Sequence, residues 1–360
     1  MKHRALSSLW IVAGALTPLL HGQLYIVTGS PDPKGGQQPI SSQVIQVGSD
    51  GSLLAAQEIT DGQSSLFWMD ASYEKRKLVA LTAATSAGGH TSMVVVDFDA
   101  GEIVKRCPTG IGVENALADI PGKGLALVWL DRENTPQALL ADPSLPCESS
   151  SETVPPTYIE SIILNPPARE WNEMVAFGMD SNGQILKRWR PDGETVYLGY
   201  QIPEALNPGI EHPALNGIIN NPNVLMAVPM GDGPDGTHRW VYLALRKTDG
   251  TWHRVPTRDG AGMFVRSLNH FLLLQAADGK WIGGHYTYSG GFDLYDLNNE
   301  KTFTMKQDDA EALLIEDGTL YYRVENRLYS AFLTDSGIGT PKLIAADEAI
   351  WNAHWAFIKH

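Results

Sequence analysis

The side chains in this sequence able to move a proton or hold an anion are scattered His, Glu and Arg residues at the borders of short apolar runs. His238 ends the Gly-rich stretch Gly231-Asp232-Gly233-Pro234-Asp235-Gly236-Thr237, His285 follows Gly283-Gly284, and Arg266 stands near the start of an apolar run. Histidine titrates near neutral pH and arginine stays cationic. Brought to one mouth, these three would make a cationic spot suited to a small carboxylate or a sugar acid. His90, Glu114, Glu311 and His354 occupy comparable border positions and offer a base and an acid to the same mouth. Each of them serves equally well as a structural hydrogen-bonding group within its own sheet.

No local motif narrows the chemistry. A Gly-x-Ser-x-Gly elbow, a His-Glu-x-x-His zinc helix and a phosphate loop are all absent from the sequence. The acidic loop before His238 lacks the ligand order of an EF-hand. A hard-cation site assembled from separated strands would leave no local trace, and calcium is the kind of ion it would take. Catalytic and metal-binding residues are therefore unassigned.

Composition limits the classes. The chain has 360 residues, 41 acidic against 27 basic side chains and a net charge of −14. That balance argues against a nucleic-acid partner, which requires a basic face. Two cysteines exclude a disulfide-dense scaffold. Cys107 and Cys147 both stand beside prolines, and sequence leaves open whether they pair.

Met1-Lys2-His3-Arg4 followed by the apolar stretch Ala5 to Leu20 and then His21-Gly22 reads as a secretory leader cleaved after Gly22. Residues 1–22 are thus expected to be the leader and 23–360 the mature domain, exported to a periplasmic or extracellular space. No later segment is long and apolar enough for a membrane-spanning helix. The expected product is a monomer.

The elements that must position the candidates are strands. Runs of four to eight apolar or alternating residues are broken by Asp50-Gly51, Asp249-Gly250, Asp317-Gly318 and similar pairs, which favour tight hairpins. Units of an inner strand, two middle strands and a polar outer strand begin near Leu66, Ala116, Ile159, Gly217, Val265 and Ala312. Their spacing of roughly 40 to 55 residues is that of four-stranded propeller blades. One further run, Trp351 to Ile358, is left at the C-terminus. Three runs, from Leu24, Gln43 and Leu53, stand at the N-terminus. Together they would complete one more blade. The expectation is all-β: a single seven-bladed propeller, with six or eight blades as alternatives, closed by its C-terminal strand. Two stacked β-sandwiches are the competing architecture.

In this period, exemplified by Asp317-Gly318-Thr319-Leu320-Tyr321-Tyr322-Arg323-Val324, the chain resembles exported bacterial β-propellers, without any family signature. Ala276-Ala277-Asp278-Gly279-Lys280-Trp281 is a compressed form of a quinoprotein blade motif, and Lys247-Thr248-Asp249-Gly250-Thr251-Trp252 is too short for a sialidase Asp box. Both occur once and read as hairpin turns. The resemblance carries no functional signature, and in the absence of a catalytic motif the expected role is a binding or scaffold module for a protein, peptide, glycan or small carboxylate. The alternative is a metal-assisted hydrolase or lactonase acting at the channel mouth.

Overall fold

The computed structural model describes residues 22–29, 42–61, 64–84, 91–109, 115–120, 122–130, 136–150, 175–179, 184–189, 195–203, 214–220, 224–232, 238–240, 242–246, 249–255, 263–268, 270–276, 280–282, 285–287 and 290–360. The expected leader, and the unit expected to begin near Ile159, fall outside them. Strands from Val175 to Arg246 are described largely as backbone.

Near the N-terminus lie β1 (Gln23–Thr28), β2 (Gln43–Val47) and β3 (Leu53–Glu58). Then come β4 (Ser64–Ser72), β5 (Lys77–Ala84), β6 (Thr91–Asp97) and β7 (Glu102–Thr109), followed by β8 (Asn115–Ile120), β9 (Gly124–Leu130) and β10 (Pro136–Leu140). The middle of the chain holds β11 (Val175–Met179), β12 (Gln184–Trp189), β13 (Thr195–Gln201) and β14 (Ala214–Asn220). It continues through β15 (Val224–Asp232), β16 (His238–Trp240), β17 (Tyr242–Arg246) and β18 (Thr251–Val255). Next are β19 (Met263–Leu268), β20 (Phe271–Ala276), β21 (Lys280–Ile282), β22 (His285–Thr287), β23 (Phe292–Asp296) and β24 (Lys301–Met305). The chain ends with β25 (Ala310–Glu316), β26 (Thr319–Val324), β27 (Arg327–Thr334), β28 (Gly337–Ile338), β29 (Lys342–Ala346) and β30 (Ala353–Lys359).

These strands form antiparallel sheets, four of them in the expected four-stranded unit, whereas the middle of the chain runs on as one sheet of order β13-β12-β11-β14-β15-β17-β18. β4-β5-β6-β7 and β19-β20-β23-β24 are four-stranded, and β25-β26-β27 is completed by β29. The fourth such sheet has the order β3-β2-β1-β30, its innermost strand drawn from the C-terminus. In it Gln23 pairs with Lys359 and Tyr25 with Phe357. The expected inner-strand starts near Leu66, Ala116, Gly217, Val265 and Ala312 fall in β4, β8, β14, β19 and β25. The Asp317-Gly318 hairpin joining β25 to β26 has both residues at positive φ, 48° and 71°, as a tight two-residue turn requires.

Apolar side chains glue neighbouring sheets face to face. One cluster (Leu273, Leu294, Ala312, Tyr322) joins the β19 and β25 sheets. Another (Leu24, Ile26, Leu314, Leu328) joins the β25 sheet to the β1–β30 sheet. A third (Val27, Phe357, Leu78, Val94) carries on to the β4 sheet, and a fourth (Val79, Cys107, Leu127, Trp129) on to β8–β10. The β25, β1–β30 and β4 sheets thus bury both faces against their neighbours in the order. That is the arrangement of blades in a β-propeller, and it is why most of these strands are apolar on both sides.

β8–β10 is a three-stranded sheet. Its outer side meets the segment 141–150 through a single bridge, Ala138 to Ser150. That segment is pinned twice. Cys107 and Cys147 are disulfide-bonded with Cα atoms 5.3 Å apart, and the buried Lys105 ammonium donates to the carbonyls of Leu140, Asp142 and Leu145 at 2.7–3.1 Å.

Candidate functional site

The innermost strands carry a buried polar knot. Glu311 on β25 and Arg323 on β26 are directly paired across the sheet, and Arg323 Nη2 donates to Glu311 Oε2 at 2.7 Å. His354 on β30 places Nδ1 2.9 Å from both carboxylate oxygens of Glu311. Arg323 Nε donates to Ala353 O at 2.8 Å, and Nη1 reaches Asp309 O at 3.4 Å. Arg323, Glu311 and His354 are 0%, 1% and 2% exposed. A carboxylate facing the ring fixes the tautomer with hydrogen on Nδ1, as it does for an oriented catalytic histidine. Here, however, both groups are sealed from solvent, so the knot ties β30 to the preceding blade.

The same terminal strand is held at its other end from the β4–β5 turn. Tyr73 Oη donates to Leu313 O at 3.0 Å and lies 3.3 Å from Ala356 O. Arg76 Nη2 donates to Ile358 O at 2.7 Å and its Nε pairs with Asp99.

Tyr73 and Arg76 also border an open groove of about 1050 Å³. It is built from turns of three sheets: 73–76 between β4 and β5, His270 before β20, Asp296 to Lys301 between β23 and β24, Glu316 to Gly318, and Leu333 to Asp335 after β27. Its floor is aromatic, with Phe271 and Phe303 ring centroids 6.3 Å apart. His270 leans on Phe271 at 4.3 Å, with Nε2 3.8 Å from Asp296.

Carboxylates dominate its lining: Glu74, Asp296, Glu316, Asp317 and Asp335, against Arg76 and Lys301. Both cations are engaged within the protein. Lys301 donates to Thr334 O and Asp335 O at 3.0 and 2.6 Å and sits 4.8 Å above the Phe303 ring, and Arg76 is held as described above. Asp296 is buried and accepts from the backbone N–H groups of Asn298 and Asn299. The negative field is felt next door: burial, then Glu316 and Asp317, push the Tyr321 phenol up to about 12.

The structure brings two of the sequence candidates, Glu311 and His354, into contact, but inside the protein instead of at a water-filled mouth. The backbones of His238, Arg266 and His285 lie in β16, β19 and β22, and their side chains are outside the described residues. His90 and Glu114 are also outside them. Among the described residues no cluster of three or more His, Cys, Asp or Glu could hold a metal ion, and no helix is long and apolar enough to cross a membrane.

Sequence reasoning missed Arg323 and the groove. The signal for Arg323 was present: a guanidinium within Leu320-Tyr321-Tyr322-Arg323-Val324, a strand apolar on both faces, requires a buried carboxylate partner. The groove lies at the opposite end of the sheets from the turns that enter the inner strands and join the middle pair, which carry the sequence candidates.

No family model and no curated protein matches the chain. Among solved structures, TolB from Acinetobacter baumannii aligns at 9% identity and a TM-score of 0.34, over 91% of this chain and 67% of that one. Kluyveromyces lactis Hsv2 aligns at 11% and 0.40, over 90% and 95%. A 6-phosphogluconolactonase-like protein of Bacteroides fragilis aligns at 10% and 0.39, over 94% and 99%. Overlaps this distant say nothing of ligand or activity, and the fold rests on the chain's own sheets and inter-sheet cores.

Proposed function

We propose that the protein is an exported seven-bladed β-propeller acting as a binding module, which presents the groove to a ligand carrying positive charge and apolar surface, such as a Lys- or Arg-bearing peptide segment. The groove carries this reading: turns from three sheets converge on an aromatic floor, and its carboxylates outnumber cations that are already spent on internal partners. A blade count of seven is supported by the four complete sheets, the β8–β10 sheet and a natural division of the β11–β18 sheet. That sheet narrows to two residue pairs between β11 and β14, and a blade boundary placed there supports the count. Export is supported by the leader-like opening and by the Cys107–Cys147 bridge, which persists in oxidising compartments.

Titration calorimetry with two short peptides tests the groove, both containing an aromatic residue, one with Lys and Arg and the other with Asp and Glu. The basic peptide should bind and weaken as salt shortens the screening length from about 8 Å at physiological ionic strength to about 3 Å at 1 M. Replacing the exposed Asp317 and Asp335 by Asn should weaken it about 2- to 30-fold, at roughly 0.2–1 kcal/mol per surface charge. Equal binding of the two peptides, or none, would overturn the assignment.

A further inference from the structure

Strand β1 begins at Gln23, the residue that export would leave as the new N-terminus. Gly22, just before it, runs so close to β30 that a Cβ there would stand 2.3 Å from Lys359 O and 2.4 Å from Ile358 Cγ2. Gln23 itself is exposed. Its side-chain Oε1 accepts a hydrogen bond from the Tyr25 hydroxyl at 3.2 Å.

That hydroxyl is held in place. The Tyr25 ring is 7% exposed and stacks on Phe357 at 4.9 Å with the planes 2° apart. The chain at Gly101 passes so near that a Cβ would lie 2.7 Å from the phenol oxygen. Burial, then the charge of Glu102, raise the phenol above its ordinary value, so at neutral pH it remains a donor.

We propose that Gln23, once freed by cleavage after Gly22, closes on itself to pyroglutamate, with the Tyr25 hydroxyl donating to the oxygen on which negative charge develops. The inference rests on the export reading above. The freed α-amino nitrogen attacks Cδ of the side-chain amide. A bond from N to Cδ forms and the amide C–N bond breaks. The proton lost by the amine leaves on the departing ammonia, and no oxidant or co-reactant is consumed. In the tetrahedral intermediate the charge sits on Oε1, the atom Tyr25 already touches, and a preplaced donor at that atom lowers the barrier. The product is a neutral lactam at the head of the strand that pairs with β30, closed to aminopeptidases.

The test begins with the full chain, leader included, produced in an exporting bacterial host. Intact mass and Edman sequencing of the exported protein should show a chain starting at residue 23, lighter by one ammonia, blocked to Edman chemistry and reopened by pyroglutamyl aminopeptidase. A free Gln23 would overturn the modification and leave export standing. A start at any other residue would overturn the cleavage position, and the modification with it. The contribution of Tyr25 is read on a fusion from which a site-specific protease liberates Gln23, following ammonia loss by mass. Tyr25→Phe keeps the ring stack and should slow the loss by about 10-fold or more, since removing one such donor costs roughly 10²–10³ in an enzyme. The urea-unfolded wild type should be as slow as the variant. Equal rates for folded wild type and Y25F would remove Tyr25 from the proposal.

Discussion

Arg323 and Glu311 face each other on adjacent strands, 2.7 Å apart and essentially without solvent, and the same carboxylate turns its oxygens to His354 of the terminal strand. Buried ions of this kind persist only while they are paired and hydrogen-bonded. Desolvation costs several kcal/mol per ion, and mutual attraction offsets it while every partner is present.

Arg323→Met should therefore destabilise the protein by about 3–5 kcal/mol, because it removes the guanidinium that faces the buried Glu311 carboxylate. The double variant Arg323→Met/Glu311→Leu should recover much of that loss, since apolar replacement of a whole buried pair is often close to neutral. Urea unfolding of the three proteins checks this. A double variant as unstable as the single one would mean that the knot contributes packing or specificity beyond its charges.

The terminal strand should be indispensable. Trp355 and Phe357 are 3% and 1% exposed in the seam between β1 and the β4 sheet. Deleting residues 351–360 forfeits about 2 kcal/mol for each large buried side chain, against a total stability of about 5–15 kcal/mol. It also bares the edge of β1 and removes the Ala353 and Ile358 carbonyls to which Arg323 and Arg76 donate. We expect aggregation or loss of a cooperative thermal transition. A truncated chain that melts like the full one would mean that β30 is an appendage.

The Cys107–Cys147 bridge spans 40 positions. Closing a loop of that length in the unfolded chain is worth about 4 kcal/mol in the chain-entropy account. Replacing both cysteines by Ser should lower stability by up to that amount. Protease sensitivity should rise first in segment 141–150, where Lys105 then remains as the main anchor. Limited proteolysis with mass mapping reads this directly, and an unchanged cleavage pattern would show that Lys105 suffices.

The inner-strand start near Ala312 and the strands that follow it were legible because hairpin pairs such as Asp317-Gly318 punctuate them. Trp351 and Asn352, read as strand, instead form part of a 3-10 turn capped by the Asp347 side chain on the Ala349 N–H, so β30 starts at Ala353. Glu311 and His354 were singled out as polar residues at the starts of inner strands, and they do sit there. Their direction was not legible. The β25–β26 register slips between Ala312 and Leu314, and the β1–β30 register between Val27 and Thr28. Local slips of this kind decide which face a neighbouring side chain takes. The groove was illegible for a different reason: its wall joins turns from β4–β5, β23–β24 and β25–β26, and no local spacing relates residues so far apart in the chain.

The alkaline limit of stability should pass through Tyr321. Burial, then Glu316 and Asp317, raise its phenol to about 12 in the folded state, against about 10 in an unfolded chain. A folded-state value above the unfolded one means that the native protein holds the proton more tightly. This contribution is therefore complete below pH 10 and is lost as pH climbs from about 10 towards 12. Tyr321→Phe removes the titrating group and keeps most of the ring's packing against Leu24 and Leu314 in the same cluster. The variant should lose little stability at neutral pH and show a shallower fall in urea midpoint between pH 9.5 and 11.5 than the wild type. Removing the neighbouring carboxylate with Asp317→Asn should shift the phenol part of the way back, visible as earlier tyrosinate absorbance near 295 nm. Parallel alkaline limbs for wild type and Y321F would show that other groups set the limit, and that the acidic rim of the groove does not act on this ring.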